Sequence, residues 1–262
     1  MKFQVRDQTV FASTGSGQHR SDRLNVLFIH GAGMDHSVWA MPSRYFARQG
    51  LNVLAVDLPG HGRSEGPALE SVGEMADWVV DVLDARDMEA AAIVGHSMGS
   101  LVAYTIACRH PSRVRVLALL GISAPMPVTD VLLDAAHDND HAAIDMANTW
   151  SHSPGAKLGA NQNPGFWMLG VGERLLETAA PGVFHADLTA CNGFDPDSYD
   201  GRVSSPTLVV LGDADQMTPL RAGLKATERI EGAEIVRFPG CGHSMLSERP
   251  NDVLDALISI VG

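Results

Sequence analysis

The chain is expected to fold as an α/β protein: a doubly wound, mainly parallel eight-stranded sheet with a helical segment inserted near its middle. Three observations predict this. Short, nearly continuous apolar runs recur at Leu24–Ile29, Leu51–Val56, Ala90–Val94, Val114–Leu120 and Pro206–Leu211, the composition of strands covered on both faces. Stretches of helical period alternate with them, as crossover connections between parallel strands require. The alternation then lapses between about Ala124 and Ser204, where His, Asn, Pro and Met are more frequent and no strand is legible.

Taken in order, Lys2–Arg6 and Thr9–Ser13 alternate as an opening antiparallel pair, and the Gly- and polar-rich stretch Thr14–Arg23 reads as a loop. Leu24–Ile29 runs into His30-Gly31-Ala32-Gly33. Ser37–Gln49 is a helix stopped by Gly50, and Leu51–Val56 ends at Asp57-Leu58-Pro59-Gly60-His61-Gly62-Arg63-Ser64. Ser71–Ala85 carries a helical stripe of Val72, Met75, Val79, Val82 and Leu83. In the interrupted region, Val131–Ala136, Ala142–Trp150, Phe166–Ala179 and Val183–Asn192 read as short helices between Pro and Gly turns. The rhythm resumes with Pro206–Leu211, a helix near Leu220–Ile230, a strand at Glu234–Phe238 and a last helix from Glu248. The expected organisation is a core of residues 1–123 and 205–262, with 124–204 as a helical cap.

Composition excludes several classes. The 262 residues suffice for one large domain, and 45% hydrophobic with 19% charged residues is a globular balance. The formal net charge is −12 with no Lys/Arg cluster, so neither nucleic acid nor an anionic membrane is an expected partner. The opening Met1–Asp7 is not a secretory signal, and no apolar run reaches the roughly 18 residues a span needs. Cys108, Cys191 and Cys241 lack any metal-ligand spacing and read as reduced thiols, which favours a cytoplasmic location. No metal or other cofactor is expected.

The chemistry is concentrated in Gly95-His96-Ser97-Met98-Gly99, which stands between the strand Ala90–Val94 and a helix closed by Arg109-His110-Pro111. Turning from strand to helix within one residue forces Ser97 into a strained conformation with Oγ exposed, and the flanking glycines allow the two elements to approach. A serine hydroxyl at its ordinary pKa is a poor nucleophile and needs a base that is itself oriented by an acid. His243, in Gly240-Cys241-Gly242-His243 just beyond the last strand, fits the base. The turn Gly212-Asp213-Ala214-Asp215-Gln216 offers two candidate acids, Asp213 and Asp215. Both loops fall at carboxyl ends of strands, where the crevice of an open α/β sheet forms. His30, His61 and His96 read as residues that hold turns together.

With these pieces the chain resembles the α/β-hydrolase-fold serine hydrolases over nearly its whole length, the cap region being the nondescript part. The matching segments are His30–Gly33, Asp57–Ser64, Gly95–Gly99, Pro206–Pro219 and Gly240–His243. The resemblance selects Asp215 over Asp213 as the acid, completing a triad of Ser97, Asp215 and His243 in the family's order. It also implies an oxyanion site made by the backbone N–H groups of Ala32 and Met98, and a pocket between cap and sheet. Family branches with Asp as nucleophile are excluded by Ser97. A hydroxynitrile lyase is disfavoured because Lys2, Lys157 and Lys225 all lie away from the triad strand ends.

The expected activity is hydrolysis of carboxylic esters through an acyl-enzyme. Met126, Met146, Trp150, Phe166, Trp167, Met168, Leu169 and Phe184 make a small molecule with an apolar acyl or alkyl group the expected substrate. The same parts serve carbon–carbon bond hydrolysis, lactone opening, and perhydrolysis or cofactor-free haloperoxidation. A reading from another class is a ligand receptor that keeps a vestigial triad.

Overall fold

The computed structural model describes residues 1–160, 162, 166–199 and 202–262. Among them, eight strands form one sheet. These are β1 (Lys2–Val5), β2 (Gln8–Ser13), β3 (Asn25–Ile29), β4 (Asn52–Val56), β5 (Ala91–His96), β6 (Val114–Leu120), β7 (Thr207–Gly212) and β8 (Glu234–Phe238). Their order across the sheet is β1-β2-β4-β3-β5-β6-β7-β8. β1 pairs antiparallel with β2, and β2 with β4; the pairs from β4 to β8 are all parallel.

Alternation along the strands divides the core in two. Val26 and Phe28 of β3 pack on one face with Phe46 of α1 (Ala40–Arg48) and Val253 and Leu257 of the last helix. Leu27 and Ile29 pack on the other face with α2 (Val72–Asp84) and α3 (Met98–Arg109). All four of those β3 side chains are fully buried, each contributing about 1.5–3 kcal/mol from apolar surface removed from water. α3 is buried along its length from Met98 to Cys108, because it lies beneath other helices as well as against the sheet.

Between β6 and β7 the chain forms α4 (Asp130–His137), α5 (His141–Ser151), α6 (Pro154–Lys157), α7 (Met168–Glu177) and α8 (Val183–Asn192). Leu132, Ala136, Ala143 and Leu188 give this segment a small core of its own. α9 (Leu220–Thr227) follows β7, and α10 (Met245–Glu248) and α11 (Pro250–Val261) close the chain.

Four details depart from the sequence expectation. The helix expected from Ser37 begins at Ala40, after a 3-10 turn over His36–Trp39 whose Ser37 amide is capped by Asp35 Oδ1 at 2.7 Å. β5 continues through Gly95 and His96, since the ladder to β6 runs on to His96 opposite Leu120. The short helix α6 was not expected; Ser153 caps it and Pro154 occupies its first turn. The final helix divides at Arg249, where φ −132° and ψ 50° break the path ahead of Pro250.

The topology places the site. From β3 the chain moves outward to β4 and then returns to β5 on the opposite side of β3. The loops after β3 and β5 therefore diverge from a switch point, which opens a crevice at the carboxyl ends of these strands.

Candidate active site

Ser97 occupies the corner between β5 and α3 with φ 55° and ψ −121°, a conformation that costs an ordinary residue on the order of 1–3 kcal/mol. The corner is held by the Ser97 amide donating to the Leu120 carbonyl at 2.8 Å, and by the Ser97 carbonyl accepting from the Ser100 amide at 2.8 Å. Its glycines are obligatory for contact reasons. A Cβ on Gly95 would run into the Gly99 carbonyl, and one on Gly99 into the Ile29 carbonyl. The serine side chain is left half-buried at the edge of a cavity.

His243 and Asp215 meet across the loops after β8 and β7. His243 Nδ1 lies 2.7 Å from Asp215 Oδ2, and both residues are buried. Oδ1 of Asp215 accepts from the Met217 and Thr218 amides, each at 2.8 Å, and Oδ2 also accepts from the Thr218 hydroxyl at 2.7 Å. Burial alone would raise the Asp215 pKa; the His243 ring and the Thr218 bonds outweigh it and hold the carboxyl below its ordinary value. A carboxylate on Nδ1 keeps that nitrogen protonated and leaves Nε2 as the basic atom. Asp213, the other candidate acid, is exposed and pairs with Arg237 at 3.1 Å.

Thr218 was not anticipated. Its hydroxyl lies 3.1 Å from His243 Nδ1 as well as on Asp215, so it braces both members of the pair. The signal was local: a hydroxyl three residues after an acid in a tight turn. Gly121, with φ 61°, passes beneath the imidazole, where a Cβ would stand 3.1 Å from Cε1.

Ser97, His243 and Ala32 line one cavity of about 140 Å³, together with Met126, Trp150, Phe184 and Leu188 from the segment between β6 and β7. Met34 lines this cavity and also a second one of about 540 Å³ that passes Met168 and Leu175. Of the aromatic and Met residues expected near substrate, Phe166 and Met168 border the second cavity, and Trp167 is 73% exposed. The Ala32 and Met98 amides take no protein acceptor among the described residues. The Met98 amide is one of the unpaired donors of the first turn of α3, where the helix dipole favours negative charge.

The other buried histidines are held at both ends or against a neighbour. His30 Nδ1 donates to the Gly31 carbonyl at 2.9 Å and Nε2 accepts from the Leu58 amide at 3.1 Å; burial, aided by nearby His61, lowers its pKa to about 4. His96 Nε2 donates to the His243 carbonyl at 2.9 Å, and burial next to His243 lowers its pKa to about 3.

The family model described as "Alpha/beta hydrolase family" matches residues 26–256, and the chain belongs to that family. Over 251 residues it is 29% identical to the pimeloyl-[acyl-carrier protein] methyl ester esterase of Aromatoleum aromaticum, covering 88% of this chain and 95% of that one. It is 30% identical over 236 residues to the 2-hydroxymuconate semialdehyde hydrolase of a Pseudomonas species, covering 83% and 80%. The solved structure of Est816, described as an N-acyl homoserine lactone degrading enzyme, superposes with a TM-score of 0.85 over the full length of both chains at 24% identity. No helix among the described residues is long and apolar enough to cross a membrane.

Proposed function

We propose that this hydrolase cleaves carboxylic esters of small molecules through an acyl-enzyme, with Ser97, His243 and Asp215 as its triad, residues 124–204 as a cap over the site, and no cofactor. The observation that carries the reading is a single cavity shared by a strained Ser97, the His243 ring with its Nδ1 fixed on Asp215, and Ala32, whose amide, like that of Met98, has no partner among the described residues.

Ser97 Oγ bonds to the ester carbonyl carbon as His243 Nε2 takes its proton. The carbonyl oxygen, now negative, accepts hydrogen bonds from the Ala32 and Met98 amides. The intermediate collapses as His243 returns the proton to the leaving alcohol. A water then attacks the acyl carbon while His243 takes its proton, and Ser97 departs with that proton to leave the free acid. No Lys or Arg among the described residues lines the smaller cavity, which supports an uncharged, apolar acyl group. The larger cavity beyond Met34 leaves room for the other half of an elongated substrate. Three buried cysteines without a disulfide support a reducing, cytoplasmic setting.

The similarity to a semialdehyde hydrolase favours a second reading, carbon–carbon bond hydrolysis by the same triad. A p-nitrophenyl ester series from acetate to decanoate separates the two. Turnover by the wild type, with Ser97→Ala slower by about 10⁴-fold or more, is the expected result, and the chain-length optimum sizes the cavity. Equal activity in both proteins would remove Ser97 as nucleophile, and no turnover of any ester would end the ester reading.

A further inference from the structure

A second buried Asp–His pair lies outside the triad. Asp187, on α8, is fully buried, and one of its oxygens serves two donors. Oδ2 accepts from His61 Nε2 at 2.8 Å and from the Gly33 amide at 2.8 Å. His61 Nδ1 faces the Pro59 carbonyl at 2.9 Å. Both ring nitrogens therefore meet acceptors, and only the doubly protonated imidazolium satisfies both. Burial opposes that charge, but the Asp187 carboxylate outweighs it and the His61 pKa is raised.

A buried ion pair is not in itself a stabilising choice, since apolar residues of similar volume often do as well. Its placement suggests the role. Gly33 directly follows Ala32, and its φ is 66° with Leu176 and Phe184 standing where a Cβ would be. The Gly31–Met34 turn closes on itself by the Met34 amide donating to the Gly31 carbonyl at 3.2 Å. Against the cap, its Gly33 amide is held by one carboxylate oxygen.

We propose that Asp187 and His61 are positioning residues for the oxyanion site. The imidazolium aims the carboxylate, the carboxylate fixes the Gly33 amide, and the peptide planes on either side of the Ala32 Cα then point the Ala32 N–H at the substrate oxygen. This rests on the serine hydrolase reading above. The other titratable groups facing the pair are accounted for. The His30 ring, 4.8 Å from that of His61 between centroids, is neutral. Asp57 is engaged by His36 at 2.7 Å. Cys191, one turn along α8 from Asp187, is a thiol whose pKa burial pushes up.

The test is Asp187→Asn. The volume is kept, but the atom at the Oδ2 position becomes either an oxygen that no longer neutralises His61 or a nitrogen that cannot accept from Gly33. The readout is the rate at which an alkyl fluorophosphonate labels Ser97. That reaction forms a Ser97 O–P bond and expels fluoride, with His243 taking the serine proton, so it needs the oxyanion donors but no ester cleavage. Labelling is expected to slow about tenfold or more, since losing one such donor outright costs about 10²–10³, with Asp187→Asn still folded by circular dichroism. The wild-type rate should also fall on the alkaline side as His61 loses its proton, a limb absent from the variant. Labelling of folded Asp187→Asn at the wild-type rate, or an unchanged alkaline limb, overturns the proposal and leaves the triad reading standing. A wild type that is not labelled at all overturns both. If Asp187→Asn does not fold, the wild type decides alone: the ¹⁵N titration of the His61 ring must coincide with its alkaline limb, and a mismatch overturns the proposal.

Discussion

Two Asp–His pairs of nearly the same length are buried in this molecule, Asp215–His243 at 2.7 Å and Asp187–His61 at 2.8 Å. They differ at the far nitrogen of the imidazole. In the first, Nδ1 holds the carboxylate while Nε2 takes no protein partner among the described residues, and the ring borders the cavity beside Ser97. In the second, the far nitrogen donates to the Pro59 carbonyl and the ring is closed at both ends. The carboxylates differ as well. Asp215 has both oxygens engaged by Thr218, Met217 and His243, whereas Oδ1 of Asp187 is buried without a partner among the described residues. An imidazole with one nitrogen open to a cavity can pass a proton, and one bound at both ends can only hold a charge in place. The pair itself does not decide between these; the group that meets the second nitrogen does.

The contrast breaks most severely at His243. His243→Ala should lower ester turnover by about 10⁴-fold or more while shifting Tm by no more than about 4 °C, because Asp215 keeps its bonds from Met217 and Thr218. Parallel kinetics and calorimetry check this, and a loss of activity that tracks loss of fold would remove the distinction.

A smaller effect separates the histidines by sign. The buried neutral rings of His30 and His96 have pKa values lowered to about 4 and about 3. Below the ordinary value near 6.5, the unfolded chain takes up these protons before the folded one does. Stability should then fall with pH from about 6.5 towards 4, by about 1.4 kcal/mol per pH unit for each ring. His61 acts in the opposite direction: its raised pKa gives a contribution complete below about 6.5 and lost as pH rises through the folded value. Urea unfolding at pH 7, 6 and 5 would show a steep decline, whereas a flat profile would mean that the two rings are not held neutral.

The smallest expected effect sharpens the comparison between the two loops. Glu248 accepts from the Gly242 amide at 3.1 Å and from the Ser153 amide at 3.0 Å, so it anchors the residue before His243 as Asp187 anchors the residue after Ala32. Glu248→Gln turns one acceptor into a donor and should cost about 1–3 kcal/mol in urea unfolding, with ester turnover changed less than about threefold. A rate loss larger than that of Asp187→Asn would put the more demanding anchor on the histidine loop.

The sheet was legible because strands covered on both faces must be largely apolar, and β3, β4, β6 and β7 are so apart from Asn25, Asn52, Arg115 and Thr207 at or next to their first residues. Boundaries were less so: the end of β5 is set by its ladder to Leu120, which the composition of Gly95 and His96 does not reveal. In the site, Ser97 and His243 stood out because glycines flank the one and precede the other at strand ends, but Asp213 and Asp215 were physically equivalent as sequence. Their difference arises from which one faces the neighbouring loop. The anchors could not be read, since Asp187 meets Gly33 across 154 residues and His61 across 126. One trace existed. Asp187 lies one turn from Val183 and one from Cys191, both buried, so an acid sits on the packed face of α8, where a charge is rare unless paired.

The segment between β6 and β7 is joined to the loops at both sides of the cleft, through Asp187 on the Gly33 turn and through Ser151 and Ser153 on the loop of Gly242 and Ser244. Lifting it as a flap would tear both joints and pull apart the loops on which the proposed reaction depends. For the reaction proposed above, substrate would therefore reach Ser97 by side-chain movement beneath a standing roof.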